Sequence, residues 1–191
     1  IEKREKKSMM SGFHAFFSLG ILLGSFCTSF FLELNLSFIL NVLIYVAILL
    51  PLNFLFSSFL QKDFDTSSKG KGNIFFYWPA IIFILVIITM TDSLCEGGID
   101  GWAALYMRDA INVDGFKIGI ATICFNLFMV IGRLVGDSMR DKLGVHKCLI
   151  TLIILSIIGL IIIFSFSSML SSLIGFSILG FGISSIIPIA Y

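Results

Sequence analysis

Three carboxylates, Asp92, Glu96 and Asp100, stand four residues apart within the stretch Thr89 to Asp109. On an α-helix each lies about 40° round from the last, so all three share one face, together with Thr89 and Ser93. The residues just upstream, Trp78 to Met90, are uncharged and almost wholly apolar. The acidic run therefore reads as the outer part of a membrane-spanning helix. An ionisable group at that depth costs about 2.5–3.5 kcal/mol on insertion scales, and its usual purpose is a substrate, ion or proton path. Asp92 and Glu96 are accordingly the candidate substrate or proton groups. The alternative is structural: arginines on other helices neutralise these acids and nothing further follows.

Two more helical faces carry polar groups. His14, Ser18, Ser25 and Ser29 fall within about 60° of one another, with Gly20 and Gly24 on roughly the opposite side. A polar stripe lining a cavity and a glycine seam against a neighbouring helix fit this pattern. The plainer alternatives are a packing histidine and serines bonded back to their own helix carbonyls. Thr122, Asn126, Arg133 and Asp137 share another face, and Gly132 with Gly136 forms a second seam. Arg133 and Asp137 are four apart and can pair directly. His14, Ser18 and Asn126 are thus candidate cavity-lining partners of the acids.

From Gly132 to Lys147 the chain is rich in both charge signs, and a tight cytoplasmic turn is expected there. Basic residues alone would satisfy a generic membrane loop, so Asp137 and Asp141 ask for a further role. Beside Glu96, Gly97-Gly98 marks the weakest point of its helix, and a bend or break is expected at that pair. Such discontinuities next to ionisable groups are a recurring device of transporters.

Other chemistries find no support. There is no His-Glu-x-x-His, no Gly-x-Ser-x-Gly and no clustered nucleophile and base, so no enzyme, catalytic set or cofactor is expected. Cys27, Cys95, Cys124 and Cys148 lie far apart at apolar segments, which suits packing better than metal or disulfide chemistry. A formal net charge of +1 suggests no nucleic-acid partner.

The elements that must position these groups follow from composition. With 58% hydrophobic and 13% charged residues, and a mean hydropathy of +1.04, the chain is expected to be an integral, all-α membrane protein. Six segments are long enough to cross a bilayer: roughly 13–32, 36–59, 76–106, 118–136, 148–166 and 169–191. Eleven of the thirteen basic residues fall on one side of these spans, leaving only Arg108 and Lys117 for the other. By the positive-inside rule the first side is cytoplasmic. The second and fifth spans lack a polar stripe and read as lipid-facing scaffold. Residues 61–73 form a small, charged, glycine-rich cytoplasmic linker between two helical units. The start at Ile1 and the end within an apolar run point to a piece of a larger membrane protein.

Three blocks resemble one family, the major facilitator superfamily, and within it a bacterial branch near fucose-permease-like sugar transporters. Ser11-Gly-Phe-His-Ala-Phe-Phe-Ser-Leu-Gly20 is similar to the start of that family's fifth helix. Glu96-Gly-Gly-Ile-Asp-Gly-Trp-Ala-Ala-Leu-Tyr-Met-Arg108 is similar to the end of its seventh. Gly132 to Gly144 resembles the loop between the eighth and ninth. The resemblance implies a partial bundle, helices five to ten of twelve. Residues 1–60 would close the N-terminal half and 74–191 open the C-terminal half, with the remaining helices of the same polypeptide as partners. It also implies alternating access and a cytoplasmic gate. The family's loop motif places Asp137, Asp141, Lys142, Gly144, Val145 and His146 at successive marked positions. Asp137 replaces a glycine there, and Val145 and His146 replace arginines. Arg133, Gly136, Asp137, Arg140, Asp141, Lys142 and Gly144 are therefore the expected gate.

The function expected on this basis is secondary active or facilitative carriage of a small polar solute, with protons as the candidate coupling ion, across a bacterial inner membrane. A non-transporting membrane scaffold, or a transporter remnant, is the alternative. Lipid is the surrounding partner in either case.

Overall fold

The computed structural model describes residues 10–57 and 80–190. They form helices α1 (Met10–Glu33), α2 (Phe38–Ser57), α3 (Ala80–Asp109), α4 (Ile120–Leu143), α5 (Val145–Ser165), α6 (Met169–Ile183) and α7 (Ile186–Ala190), with a 3-10 turn, Gly115–Gly119, before α4. No strand occurs among the described residues. The expected linker, 61–73, lies outside them.

Among the described residues, four stretches can cross a membrane by length and composition: Ala15–Glu33, Phe38–Ser57, Gly115–Leu143 and Val145–Ser165, while Met169–Ile183 is a shorter apolar helix. The 30 residues of α3 would reach about 45 Å, more than the roughly 30 Å of hydrocarbon, and its acids interrupt the apolar run.

Small residues decide the packing. The core between α3, α4 and α6 is built on Ala103, Met107, Ala121, Phe125, Met129 and Leu179. A side chain at Gly180 would strike the Phe125 carbonyl, and one at Gly159 would lie 2.7 Å from the Leu179 nitrogen, so these glycines let backbones approach directly. Helix α2 buries none of its residues. Its tie to α1 runs through Tyr45, whose hydroxyl donates to the Gly24 carbonyl at 2.9 Å. With Ile150, Ile153, Ile154, Ile157 and Ile161 exposed on α5, both helices turn apolar side chains outward, as a lipid-facing position requires.

Three expectations are corrected. Helix α3 runs through Gly97 and Gly98 without a break. Two glycines cost about 1 kcal/mol each, less than the several kcal/mol of leaving backbone groups unsatisfied in hydrocarbon.

The discontinuity lies instead in the last span, which turns at Ser184–Ser185 between α6 and α7. Pro188 has no N–H to offer the carbonyl four residues earlier, that of Ser184.

The charged stretch Gly132–Lys147 is not a tight loop. Helix α4 continues to Leu143, and Gly144 alone, at φ +78°, makes the turn into α5. Arg140, 3.8 Å from Asp137 one turn earlier, supports that extension.

Finally, Gly20 and Gly24 do not form a packed seam among the described residues, since a side chain at either would meet open space.

Candidate functional site

The site is organised by Arg133, a guanidinium only 3% exposed in the middle of the bundle. Its Nη2 lies 3.2 Å and 3.3 Å from the two carboxylate oxygens of Glu96 on α3. Nη1 donates to the Ser18 hydroxyl on α1. Nε donates to the Ser184 carbonyl at 3.1 Å, the group that Pro188 leaves without its helical donor. One planar cation thus joins α1, α3, α4 and the α6–α7 turn, using the fork geometry that lysine lacks. The glycine seam of α4 makes the approach possible. Side chains at Gly132 and Gly136 would collide with the Ser184 and Ser185 hydroxyls, and Ser185 donates to the Gly132 carbonyl at 2.9 Å.

The three acids share a face but not a role, because 40° steps carry them round α3. Asp92 is buried and lines an apolar cavity of about 460 Å³ shared with Ile153 and Ser156 of α5 and Leu179 and Ile183 of α6. It makes no hydrogen bond to the described residues and interacts electrostatically with Glu96 and Arg133. Glu96 pairs with Arg133. Asp100 accepts a 2.9 Å bond from Asn126 Nδ2 and borders a second cavity, about 380 Å³, between α1, α3 and α4.

Of the expected residues, Asp92, Glu96, Ser18 and Arg133 converge on this centre, whereas Asn126 bonds Asp100 and the Thr122 carbonyl beside it. The backbone of His14 is described and its side chain is not. The serine stripe of α1 divides: Ser18 binds Arg133, whereas Ser25 and Ser29 donate to the Ile21 and Ser25 carbonyls. Arg140, Asp137 and Asp141 cluster at the exposed end of α4, with Arg140 3.3 Å from Asp141, and Lys142 and Gly144 lie exposed beside them.

Glu33 escaped the sequence reading. At the C-terminal end of α1 its carboxylate accepts from the Phe116 N–H at 2.8 Å, and Phe26 stacks edge-on against Phe116 at 5.7 Å. A side chain at Gly119 would strike the Ser29 hydroxyl, so α1 and the Gly115–Gly119 turn are in close contact. The available signal was a lone carboxylate ending an otherwise acid-free span.

The family profile described as Major Facilitator Superfamily matches residues 1–191. The chain belongs to the major facilitator superfamily. It is 28% identical over 191 residues to an uncharacterized MFS-type transporter of Yersinia pestis, covering all of this chain and 49% of that protein. It is 23% identical over 198 residues to the uncharacterized transporter y4wD of Sinorhizobium fredii, with 51% of that protein covered. Membrane protein MosC of Rhizobium meliloti is 26% identical over 105 residues, or 55% of this chain and 26% of its own length. The chain spans about half the length of the first two relatives. No solved structure matches. Membership of the major facilitator superfamily makes this an all-helical integral membrane protein of a transporter family rather than of an enzyme family.

Proposed function

We propose that the protein carries a small polar solute across the membrane by alternating access, and that Asp92, Glu96 and Arg133 form its working centre. The observation that carries this reading is the Glu96–Arg133 pair, its guanidinium buried and its carboxylate mostly so, extended to α1 through Ser18. A purely structural ion pair in the bundle would have no need of a helix from across the linker. Here α1 belongs to the N-terminal unit and α3 and α4 to the C-terminal one, the division at residues 61–73 that the sequence suggests. Protonating or liganding Glu96 removes the charge that holds Arg133, and the contact between the two units loosens with it. Asp92, one turn further in, is the second proton or substrate group. His14, Ser18 and Asn126 line the path. The contact of Glu33 with Phe116 closes the outer side, and the Arg140–Asp137–Asp141 cluster is the inner gate. The resemblance to fucose-permease-like carriers, helices five to ten, and a bacterial inner-membrane setting agree with this assignment.

Reconstituted vesicles containing the protein from its complete reading frame test it. Solute accumulation driven by a pH gradient is expected to vanish in Asp92→Asn and in Glu96→Gln. Undiminished uphill uptake in both variants removes these acids from the mechanism.

A further inference from the structure

The cavity between α1, α3 and α4 is distinct in its chemistry from the Arg133 centre. It measures about 380 Å³ and is bordered by Asp100, Thr122, Ser25, Thr28 and Ser29 together with apolar residues and glycines, with no basic side chain in the lining. Apart from that of the Thr122 hydroxyl, its side-chain hydrogens are already committed. Ser25 and Ser29 donate to the Ile21 and Ser25 carbonyls at 2.9 Å and 2.8 Å. Tyr45 donates its single hydrogen to the Gly24 carbonyl, so in the 2.9 Å contact between Tyr45 and Thr28 the threonine is the donor. Asn126 directs its amide hydrogens to Asp100 and to the Thr122 carbonyl, at 2.9 Å and 3.0 Å. What remains is lone pairs and the one rotatable hydrogen of Thr122.

In the lining, Thr122 Oγ1, on a residue 8% exposed, is buried without a partner among the described residues, and so, behind Asp100, is Oδ1 of the fully inaccessible Asn126. Buried polar groups left unmatched are unfavourable, and a ligand that supplies the missing partner relieves that cost. Asp100 has Asn126 as its hydrogen-bond partner but no salt bridge to a cation among the described residues. The Arg133 guanidinium, which also feels Asp100, is engaged by Glu96.

We infer that this cavity is a subsite for a protonated amine on the carried solute. An ammonium group brings hydrogen-bond donors, no acceptors and one positive charge, the complement of a lining that offers acceptors and one carboxylate. A neutral hydroxyl supplies one donor and no charge, and so leaves Asp100 uncompensated. The volume falls within the range of small-molecule pockets and is far larger than a bare ion needs. The inference deepens the transport reading and rests on it.

The test compares matched probes on the purified protein from its complete reading frame, held at pH 6 so that the amines are protonated. Glucosamine, ethanolamine and putrescine are measured by calorimetry against glucose, ethylene glycol and butanediol. At least one amine is expected to bind about tenfold or more tightly than its neutral counterpart. Asp100→Asn, which keeps the acceptor for Asn126, is expected to abolish that preference, and Thr122→Val to weaken amine binding several-fold. Neutral probes binding as well as amines in the wild type would overturn the subsite, and that comparison needs no variant. So would amine preference surviving in Asp100→Asn, or sodium binding with all amines silent. Vesicle flux separates this failure from that of the transport reading: carriage of neutral solutes without amine preference contradicts only the subsite, whereas absence of all solute flux contradicts both.

Discussion

At the residue scale the decisive question is what a buried guanidinium finds for company. Arg133 has Asp137 within one turn of its own helix, and sequence spacing favours that local pair. The folded bundle instead gives its Nη2 to Glu96, 37 positions away, because the face of α4 that carries Arg133 turns toward α3. The acids themselves were readable from their four-residue spacing in an apolar stretch. Their partners were not, since pairing between helices depends on how glycine seams set the approach. Removing one member of such a pair leaves a bare charge in a dry site, at a cost of about 3–5 kcal/mol. Arg133→Ala is therefore expected to lower the thermal unfolding midpoint of the purified protein sharply, and it also orphans the Ser184 carbonyl. Arg133→Gln combined with Glu96→Gln removes both charges and is expected to recover most of the loss. Equal midpoints for the single and double variants would mean that the pair contributes little to stability.

At the element scale, two helix-weakening signals had opposite outcomes. Gly97-Gly98 lowers propensity but leaves every backbone donor in place, so α3 stays continuous. Pro188 deletes a donor outright, and the chain turns four residues earlier. Spans and their order were legible from hydropathy. Which weak point gives way was decided by the bilayer, which tolerates a missing hydrogen bond only where another group supplies it. Gly97→Ala and Gly98→Ala are expected to raise stability by about 0.5–1 kcal/mol each, because their Cβ atoms would meet nothing within 4 Å. Gly180→Ala is expected to destabilise, since its Cβ would strike the Phe125 backbone, which cannot rotate away. Denaturant unfolding of the three variants checks both signs, and a stabilising Gly180→Ala would show that α4 and α6 are free to separate.

At the scale of the whole molecule, the charge asymmetry and the apolar outer surfaces of α2 and α5 describe a chain set in lipid, with α1 packed against α4 and the Gly115–Gly119 turn. The orientation predicts that Lys117→Cys reacts with an impermeant thiol reagent added outside intact cells and that His146→Cys reacts only after the membrane is opened; the reverse pattern would invert the topology. In the proposed cycle α1 and the start of α4 part and rejoin as solute passes. Ser29 and Gly119 are in such close contact at that interface that paired cysteines can report on it. The direct measurement is solute uptake by the Ser29→Cys, Gly119→Cys protein in vesicles, before and after oxidation and again after reduction. Uptake should stop when the disulfide forms and return when it is reduced. Full uptake with the disulfide intact would contradict the account.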